Sequence, residues 1–314
     1  MALIFTLLSM LMTSARDLFE KKSVESSTED VFKTLVWYGI YNAILFCLAF
    51  FLGMDETSLM PHELLFKNPA ILLSPSFNYL CLFFALVTYK YLGVSPRNTF
   101  VNIDGVFFVI LLVLYHILTG GAQYATRLFD PLTITGLIMV IGAGIIYPNL
   151  KGERVERHSE HSPEACCELK AMVILGIVIA VISAFFDGAE SMVSSVLIGD
   201  EIVDSIDFIC VLALIQVIIS FGVWVYLWVK NGNIYNPFRK TEKYRYIGQG
   251  CGLLSDLLYV FALSDDALLS IILWNAFPVI DILGARIFMK EKLTAMQYLT
   301  LCMMIIGAVL ISLS

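Results

Sequence analysis

The chain has 314 residues, of which 59% are hydrophobic and only 15% charged, and its mean hydropathy is +0.82. A water-soluble domain of this length needs far more polar surface than this composition supplies. The formal charge of −7 is opposite in sign to the basic face that nucleic-acid binding requires, so we expect no nucleic-acid partner. We expect an all-α integral membrane protein, because each segment within a bilayer must satisfy its own backbone hydrogen bonds.

Ten apolar segments of membrane-spanning length follow one another along the chain. Their predicted bounds are Ala2–Phe19, Val31–Gly53, Ala70–Leu92, Thr99–Thr119, Pro131–Leu150, Leu169–Ile198, Ile206–Val229, Tyr246–Leu263, Leu268–Met289 and Thr294–Ser314. The only long polar linker, residues 151–168, separates a first five-helix repeat (1–150) from a second (169–314). His158 and His161 lie in this linker, where nothing fixes ligand geometry, so we predict no metal site and no cofactor.

The basic residues are sorted into alternate gaps between the predicted spans. Of the 20 lysines and arginines, only Lys67 and Arg127 lie in or beside the gaps that follow even-numbered spans. Positive charge accumulates on the cytoplasmic side of membrane proteins. This count places both termini on the side of the membrane away from the cytoplasm. We expect the membrane to be the inner cell membrane.

A short motif recurs 170 residues later in the chain. Asp17 and Glu20 follow a patch of small residues in the first span, and Asp187 and Glu190 do the same in the sixth. The same offset pairs Tyr89 with Tyr259. An offset of 173 pairs Val101–Phe107 with Trp274–Ile280.

Two repeats of five spans have opposite orientations, because five is an odd number. Inverted repeats are typical of secondary transporters, whose binding site lies near the middle of the membrane between the repeats. The sequence therefore predicts ten transmembrane helices arranged as two inverted five-helix repeats. We interpret the paired carboxylates Asp17, Glu20, Asp187 and Glu190 as gate or interface groups rather than as ligands at mid-membrane.

Placing an ionisable side chain at the centre of the bilayer costs about 3 kcal/mol or more, so such a residue is expected to have a functional or structural role. Such groups, together with polar and aromatic residues near them, are our candidates for binding a solute or a proton. They are Asn102, Asp104, His116, Asp256, Trp274, Asn275, Pro278 and Asp281. His116 could relay a proton or could be an interfacial histidine. Pro278 frees a backbone carbonyl that could face a cavity or could only shape packing.

The C-terminal stretch has the features of one transporter family. Pro278 lies in the ninth span, the segment Phe288–Thr294 includes Glu291, Leu293 and Thr294, and Gly307 lies in the last span. These features resemble the EamA branch of the drug/metabolite transporter (DMT) superfamily, and the first half looks like a weaker copy. The resemblance implies the fold and the transport class but no specific cargo. Members of this superfamily are usually drawn with cytoplasmic termini, opposite to the charge count, and we keep the charge-based orientation.

The sequence thus predicts a secondary transporter that moves a small polar metabolite by alternating access, with a proton or a counter-solute as the coupled species. No nucleotide-binding loop, metalloprotease motif or nucleophile elbow is present, so we do not expect an enzyme. Two alternatives stay open, namely an integral-membrane enzyme acting on a lipid-linked substrate and a membrane scaffold or sensor. The expected partners are a small solute and the lipid bilayer, and the sequence is also compatible with a homodimer.

Overall fold

The structure is a computed structural model that describes residues 1–24, 28–53, 61–91, 104–120, 130–146, 163–199, 202–274, 280 and 294–312. The described residues form helices and short turns, and they contain no strand. The helices are α1 (Ala2–Val24), α2 (Thr28–Leu48), α3 (Pro61–Lys67), α4 (Leu73–Thr88), α5 (Asp104–Thr119), α6 (Pro131–Ile146), α7 (Pro163–Gly199), α8 (Ser205–Asn231), α9 (Lys243–Trp274) and α10 (Ala295–Ser312). A π-helical turn, Ala49–Gly53, extends α2.

Six helical segments among the described residues are long and apolar enough to cross a membrane. They are Ala2–Val24, Glu29–Phe51, Pro69–Thr88, Ile174–Gly199, Ser205–Asn231 and Lys240–Asp266. Two further apolar helices are shorter, Asp104–Thr119 and Tyr298–Gly307. The prediction of an all-α, multi-pass membrane protein is confirmed at this level.

The distribution of side chains fits a bilayer rather than water. Phe51, Ile117 and Val229 are each more than 70% exposed, and many other large apolar side chains share this outer surface. Serine, threonine, aspartate and glutamate side chains are buried between the helices instead. Lipid tails solvate the apolar exterior, whereas the buried polar groups bind one another across helix contacts.

The ends of α8 have well-defined caps. The Asp204 carboxylate accepts a hydrogen bond from the Ile206 amide at 2.8 Å, which satisfies an amide with no partner inside the helix. At the other end Gly232 has a φ of +67°, and its amide donates to the Trp228 carbonyl. Glycine adopts this left-handed conformation without a steric penalty, so the helix ends at that residue.

Helix α9 combines the eighth predicted span with the start of the ninth. Asp266 interrupts it with φ −155° and ψ 97°, which are not helical values. The Leu269 amide donates to Asp266 Oδ1 at 3.0 Å, so this aspartate caps the helix segment that follows. The break lies in the predicted gap between Leu263 and Leu268.

Two helical segments lie where the sequence predicted a gap or a polar linker. Helix α7 begins at Pro163, inside the predicted linker 151–168, and α3 lies between the second and third spans. Both begin with proline, whose fixed φ suits the first position of a helix. Hydropathy detects only apolar segments, so it missed the polar first turns of α7.

The helices pack in a pattern of pairs. Helix α1 lies along α9, α4 along α7, α2 along α8 and α6 along α10, while α5 also packs on α7. The α5–α7 contact is close at Gly188, where a Cβ atom would lie 2.5 Å from the Asp104 carbonyl oxygen and 2.8 Å from the Phe108 amide nitrogen. Small residues allow such backbone approaches inside membranes.

Candidate functional site

A cavity of about 110 Å³ lies among α1, α2, α4, α7, α8 and α9. Its polar lining residues and its tyrosine and tryptophan residues come from both predicted repeats, and they include Thr13, Arg16, Asp17, Tyr38, Asn78, Asp187, Glu190, Ser191, Ser194, Asp256, Tyr259 and Trp274. A charged lining inside a membrane protein is costly to maintain, so we take this cavity as the candidate functional site.

The α1 wall of the cavity consists of one cation and its carboxylate partners. Arg16 Nε lies 3.7 Å from Asp17 Oδ1 and 3.7 Å from Glu20 Oε1. Glu20 is fully buried behind this pair and accepts a hydrogen bond of 2.5 Å from Gln249 on α9. Arg16 also interacts electrostatically with Asp256 on α9, so one guanidinium interacts with three carboxylates.

The α7 wall holds Glu190 between two hydroxyl groups. Ser194 donates to Glu190 Oε1 at 2.5 Å, and Ser74 on α4 donates to the same oxygen at 3.0 Å. Asp187 lies about one helical turn before Glu190 and lines the same cavity. The hydroxyl donors satisfy one carboxylate oxygen and bring no positive charge into the wall.

An amide and several aromatic side chains also line the cavity. Asn78 Oδ1 accepts hydrogen bonds from the Tyr38 hydroxyl at 2.8 Å and from Gln216 Nε2 at 3.1 Å, which joins α2, α4 and α8. The rings of Tyr259 and Trp274 contact each other with centroids 4.8 Å apart. Two parts of α9 separated by the break at Asp266 therefore meet at the cavity.

One end of the cavity is lined by apolar side chains. Leu45, Phe208, Ile209 and Leu263 line this end, belong to one hydrophobic cluster and are almost completely buried. They come from the C-terminal half of α2, the first turn of α8 and the part of α9 just before its break.

The other end of this helix group is held by a buried ionic cluster around Arg245. Its guanidinium donates to Asp30 Oδ1 at 2.6 Å, to the Ser23 carbonyl at 2.6 Å and to Glu242 Oε2. Tyr235, in the loop before α9, donates to the same Glu242 oxygen at 2.9 Å. Burial and the neighbouring Glu242 carboxylate raise the pKa of Tyr235. The cluster joins the end of α1, the start of α2 and the start of α9.

The structure brings together many of the predicted site residues. Asp256, Trp274, Asp17, Asp187 and Glu190 line the cavity, so three of the four predicted gate carboxylates lie at the cavity itself. Their predicted role as gate groups stays a prediction.

The remaining predicted residues have other positions. Asp104 is buried at the start of α5 against Gly188, near Asp187 but not in the cavity lining. His116 is half-buried in the last turn of α5, also away from the lining. Asn102, Asn275, Pro278 and Asp281 lie outside the described residues.

Arg16, Tyr38, Asn78 and Tyr259 are among the lining residues that were not predicted as site residues. Arg16 had a usable signal, because an arginine inside an apolar span with a glutamate four residues later predicts an internal ion pair. Asn78 was the only amide side chain in the third span. Within the described part of the chain, no group of three histidine, cysteine, aspartate or glutamate side chains could hold a metal ion.

Comparison with known proteins adds information on the fold. No protein-family model matches the chain, and no curated protein matches it. One solved structure, described only as a crystal structure of a protein, superposes with a TM-score of 0.66 over 99% of this chain and 96% of that chain. The chain shares its fold. The sequences are 14% identical, and 23 chains of solved structures match in all.

Proposed function

We propose that the chain is a secondary transporter that moves a small polar metabolite across the membrane by alternating access. The observation that carries this proposal is the charged cavity, which is enclosed by helices from both halves of the sequence. A scaffold has no need to keep several carboxylates and an arginine around an internal space, because each buried charge costs stability.

We propose further that the ten spans form two inverted five-helix repeats. The pairing of the helices supports this. A shift of 170 residues makes α1 equivalent to α7, and it makes α4 equivalent to the first part of α9. The α1–α9 pair is thereby exchanged with the α7–α4 pair. The α2–α8 pair and the α6–α10 pair each join a helix to its own equivalent. Such a pattern is expected when two similar halves pack around a two-fold axis.

In this mechanism one gate is the apolar end of the cavity, and the other is the Arg245 cluster at the opposite end of the surrounding helices. The cluster at Leu45 and Phe208 separates by breaking apolar contacts, whereas the Arg245 cluster separates by breaking ion pairs. Opening one end while the other stays closed moves a solute bound between Glu190 and Asp256 from one side to the other. On the charge-based orientation, the Arg245 end faces the cytoplasm.

The resemblance to the EamA branch of the DMT superfamily supports the same class, and we carry it as part of the proposal. Transport is then driven by a gradient or by exchange. We include coupling to protons, because Glu190 and Asp256 are carboxylates that line the cavity and can bind and release a proton as a gate opens.

The proposal is tested with purified protein in liposomes and a panel of labelled polar metabolites. We expect saturable uptake of at least one solute, and for a proton-coupled mechanism an imposed pH gradient changes its rate. Uptake whose rate does not change with the pH gradient would contradict proton coupling but not the transport proposal. Uptake no faster than in protein-free liposomes for every solute contradicts the transport proposal.

A further inference from the structure

Resting on the proposed transport function, we propose that the transported solute is a small organic cation, an amine whose ammonium group is attracted by Glu190 and Asp256. Four features of the cavity lead to this substrate class. They are its charge balance, the neutral partners of Glu190, its aromatic rings and its size.

Carboxylate groups outnumber cationic groups in the lining of the cavity. Among the described lining residues the carboxylates are Asp17, Asp187, Glu190 and Asp256, and the only cation is Arg16. Arg16 is already engaged, since Asp17 and Glu20 each lie 3.7 Å from its Nε atom. An anionic solute would therefore enter a space in which carboxylates outnumber cations, and the repulsion is strong where water is scarce.

Glu190 shows how the site is arranged for a positive partner. Ser74 and Ser194 both donate to its Oε1 oxygen, so they orient the carboxylate without neutralising it. Asp256 approaches the cavity from α9 and shares Arg16 with the α1 carboxylates. A bound ammonium group offers three N–H donors and a compensating charge, which matches carboxylates contributed by two different helices.

Aromatic rings line the cavity beside these carboxylates. Tyr259 and Trp274 have ring centroids 4.8 Å apart, and Tyr38 lies in the lining on α2. The face of such a ring attracts an organic cation and also packs against its apolar part. This combination favours an amine with a carbon skeleton over a hydrated inorganic ion.

The size of the cavity limits the solute. A volume of about 110 Å³, at roughly 10–15 Å³ for each water-sized group, holds about seven to eleven such groups. Linear diamines and small aromatic amines fit this range, whereas nucleotides and lipid head groups with their chains exceed it.

The test uses two series of soluble probes that differ in charge on a constant skeleton. The first is 1,4-diaminobutane, 4-aminobutyrate, 1,4-butanediol and succinate, and the second is 2-phenylethylamine, 2-phenylethanol and phenylacetate. The thermal unfolding of the purified full-length protein is measured at rising concentrations of each probe, because a ligand of the folded state raises the unfolding temperature. We expect stabilisation by at least one of the two amines, and little or none by the neutral and anionic members of its series. The zwitterion 4-aminobutyrate should stabilise less than 1,4-diaminobutane, because its carboxylate is repelled by the lining.

Variants link the effect to the cavity. Asp256→Asn and Glu190→Gln are expected to weaken binding of the stabilising amine by about tenfold or more, since each removes one charge and keeps the shape. Glu29→Gln is the matched control, because Glu29 pairs with Lys33 at 2.8 Å near the start of α2, away from the cavity. It is expected to bind the amine like the parent protein.

The outcomes separate this inference from the function on which it rests. Stabilisation by neither amine, or equal stabilisation by the neutral and anionic probes, overturns the cation inference. Liposome uptake of some other metabolite would then leave the transport proposal standing. The absence of uptake for every solute of the broader panel overturns the transport proposal itself.

Discussion

Arg245 and Asp30 form an ion pair of 2.6 Å that ties the start of α9 to the start of α2. Both residues are buried, and the same guanidinium also contacts Glu242 and the carbonyl at the end of α1. Three segments that are distant in sequence thus share one cation. The cluster fixes one end of the helix group that surrounds the cavity.

Replacing this cation should be costly for the fold. Arg245→Met leaves Asp30 and Glu242 buried near each other without their guanidinium, and we expect a loss of about 3–5 kcal/mol. Thermal unfolding in detergent measures the change. Lys33→Met is the control, because the Lys33–Glu29 pair joins neighbouring turns of one helix and contributes about 0.5 kcal/mol. Equal effects of the two variants would contradict a structural role for the Arg245 cluster.

The two hydroxyls at Glu190 give a second prediction. Ser74→Ala removes one donor from a buried carboxylate, and we expect the free energy of unfolding to fall by about 1–3 kcal/mol. Ser76→Ala serves as the control, since the Ser76 hydroxyl donates an exposed hydrogen bond to the Leu72 carbonyl within its own helix region. Its effect should stay within about 0.5 kcal/mol. A neutral Ser74→Ala variant would mean that Glu190 does not depend on this donor.

The contact between α5 and α7 gives a third prediction. In Gly188→Ala the new methyl group would meet the backbone of Asp104 and Phe108 at 2.5 Å and 2.8 Å, so the helices must move apart. We expect a loss of about 1–3 kcal/mol. Gly222→Ala on α8 has nothing within 4 Å of the new atom and should be neutral or stabilising, because alanine favours helix. If the two variants gave the same unfolding curve, the close packing of α5 on α7 would be contradicted.

The sequence predicted the class of fold well, and the reason is physical. Bilayer thickness fixes the length of a span, so hydropathy alone placed α1, α2, α4 and α8 within a few residues. It could not place the polar first turns of α7 or the short helix α3, since neither has to cross the hydrocarbon layer. Proline at Pro61 and Pro163 was the only local signal for these starts.

The site was predictable only in part. Asp256 was found because a charge inside an apolar span is conspicuous in sequence. Glu190 was found through the repeated motif, and it was predicted to be a gate or interface group rather than a ligand. Which charges share one space depends on how α1 lies along α9 and α4 along α7, and a span prediction holds no such information. Asn78 and Tyr259 line the cavity as a result of this packing, so the sequence alone does not identify them as site residues.

Charge in the cavity can also be probed through a native cysteine. Cys81 lines the cavity, and its sulfur lies 3.6 Å from the Ser183 hydroxyl. In a variant that keeps only Cys81 of the seven cysteines, we expect a cationic methanethiosulfonate to react about tenfold faster than an anionic one, relative to free cysteine. Adding Asp256→Asn should reduce this preference. An unchanged ratio in both proteins would contradict a negative cavity.

The most direct test of the account measures whether the two ends of the cavity open in alternation. In a cysteine-free, transport-active background, Leu45→Cys reports on the apolar end and Gln249→Cys on the ionic end, next to Glu20. Reactivity toward a membrane-impermeant thiol reagent is measured in liposomes with and without a transported solute gradient. The account predicts that conditions which raise the reactivity of one cysteine lower that of the other. Reactivities of the two cysteines that rise and fall together, or protection of both under every condition, would contradict alternating access.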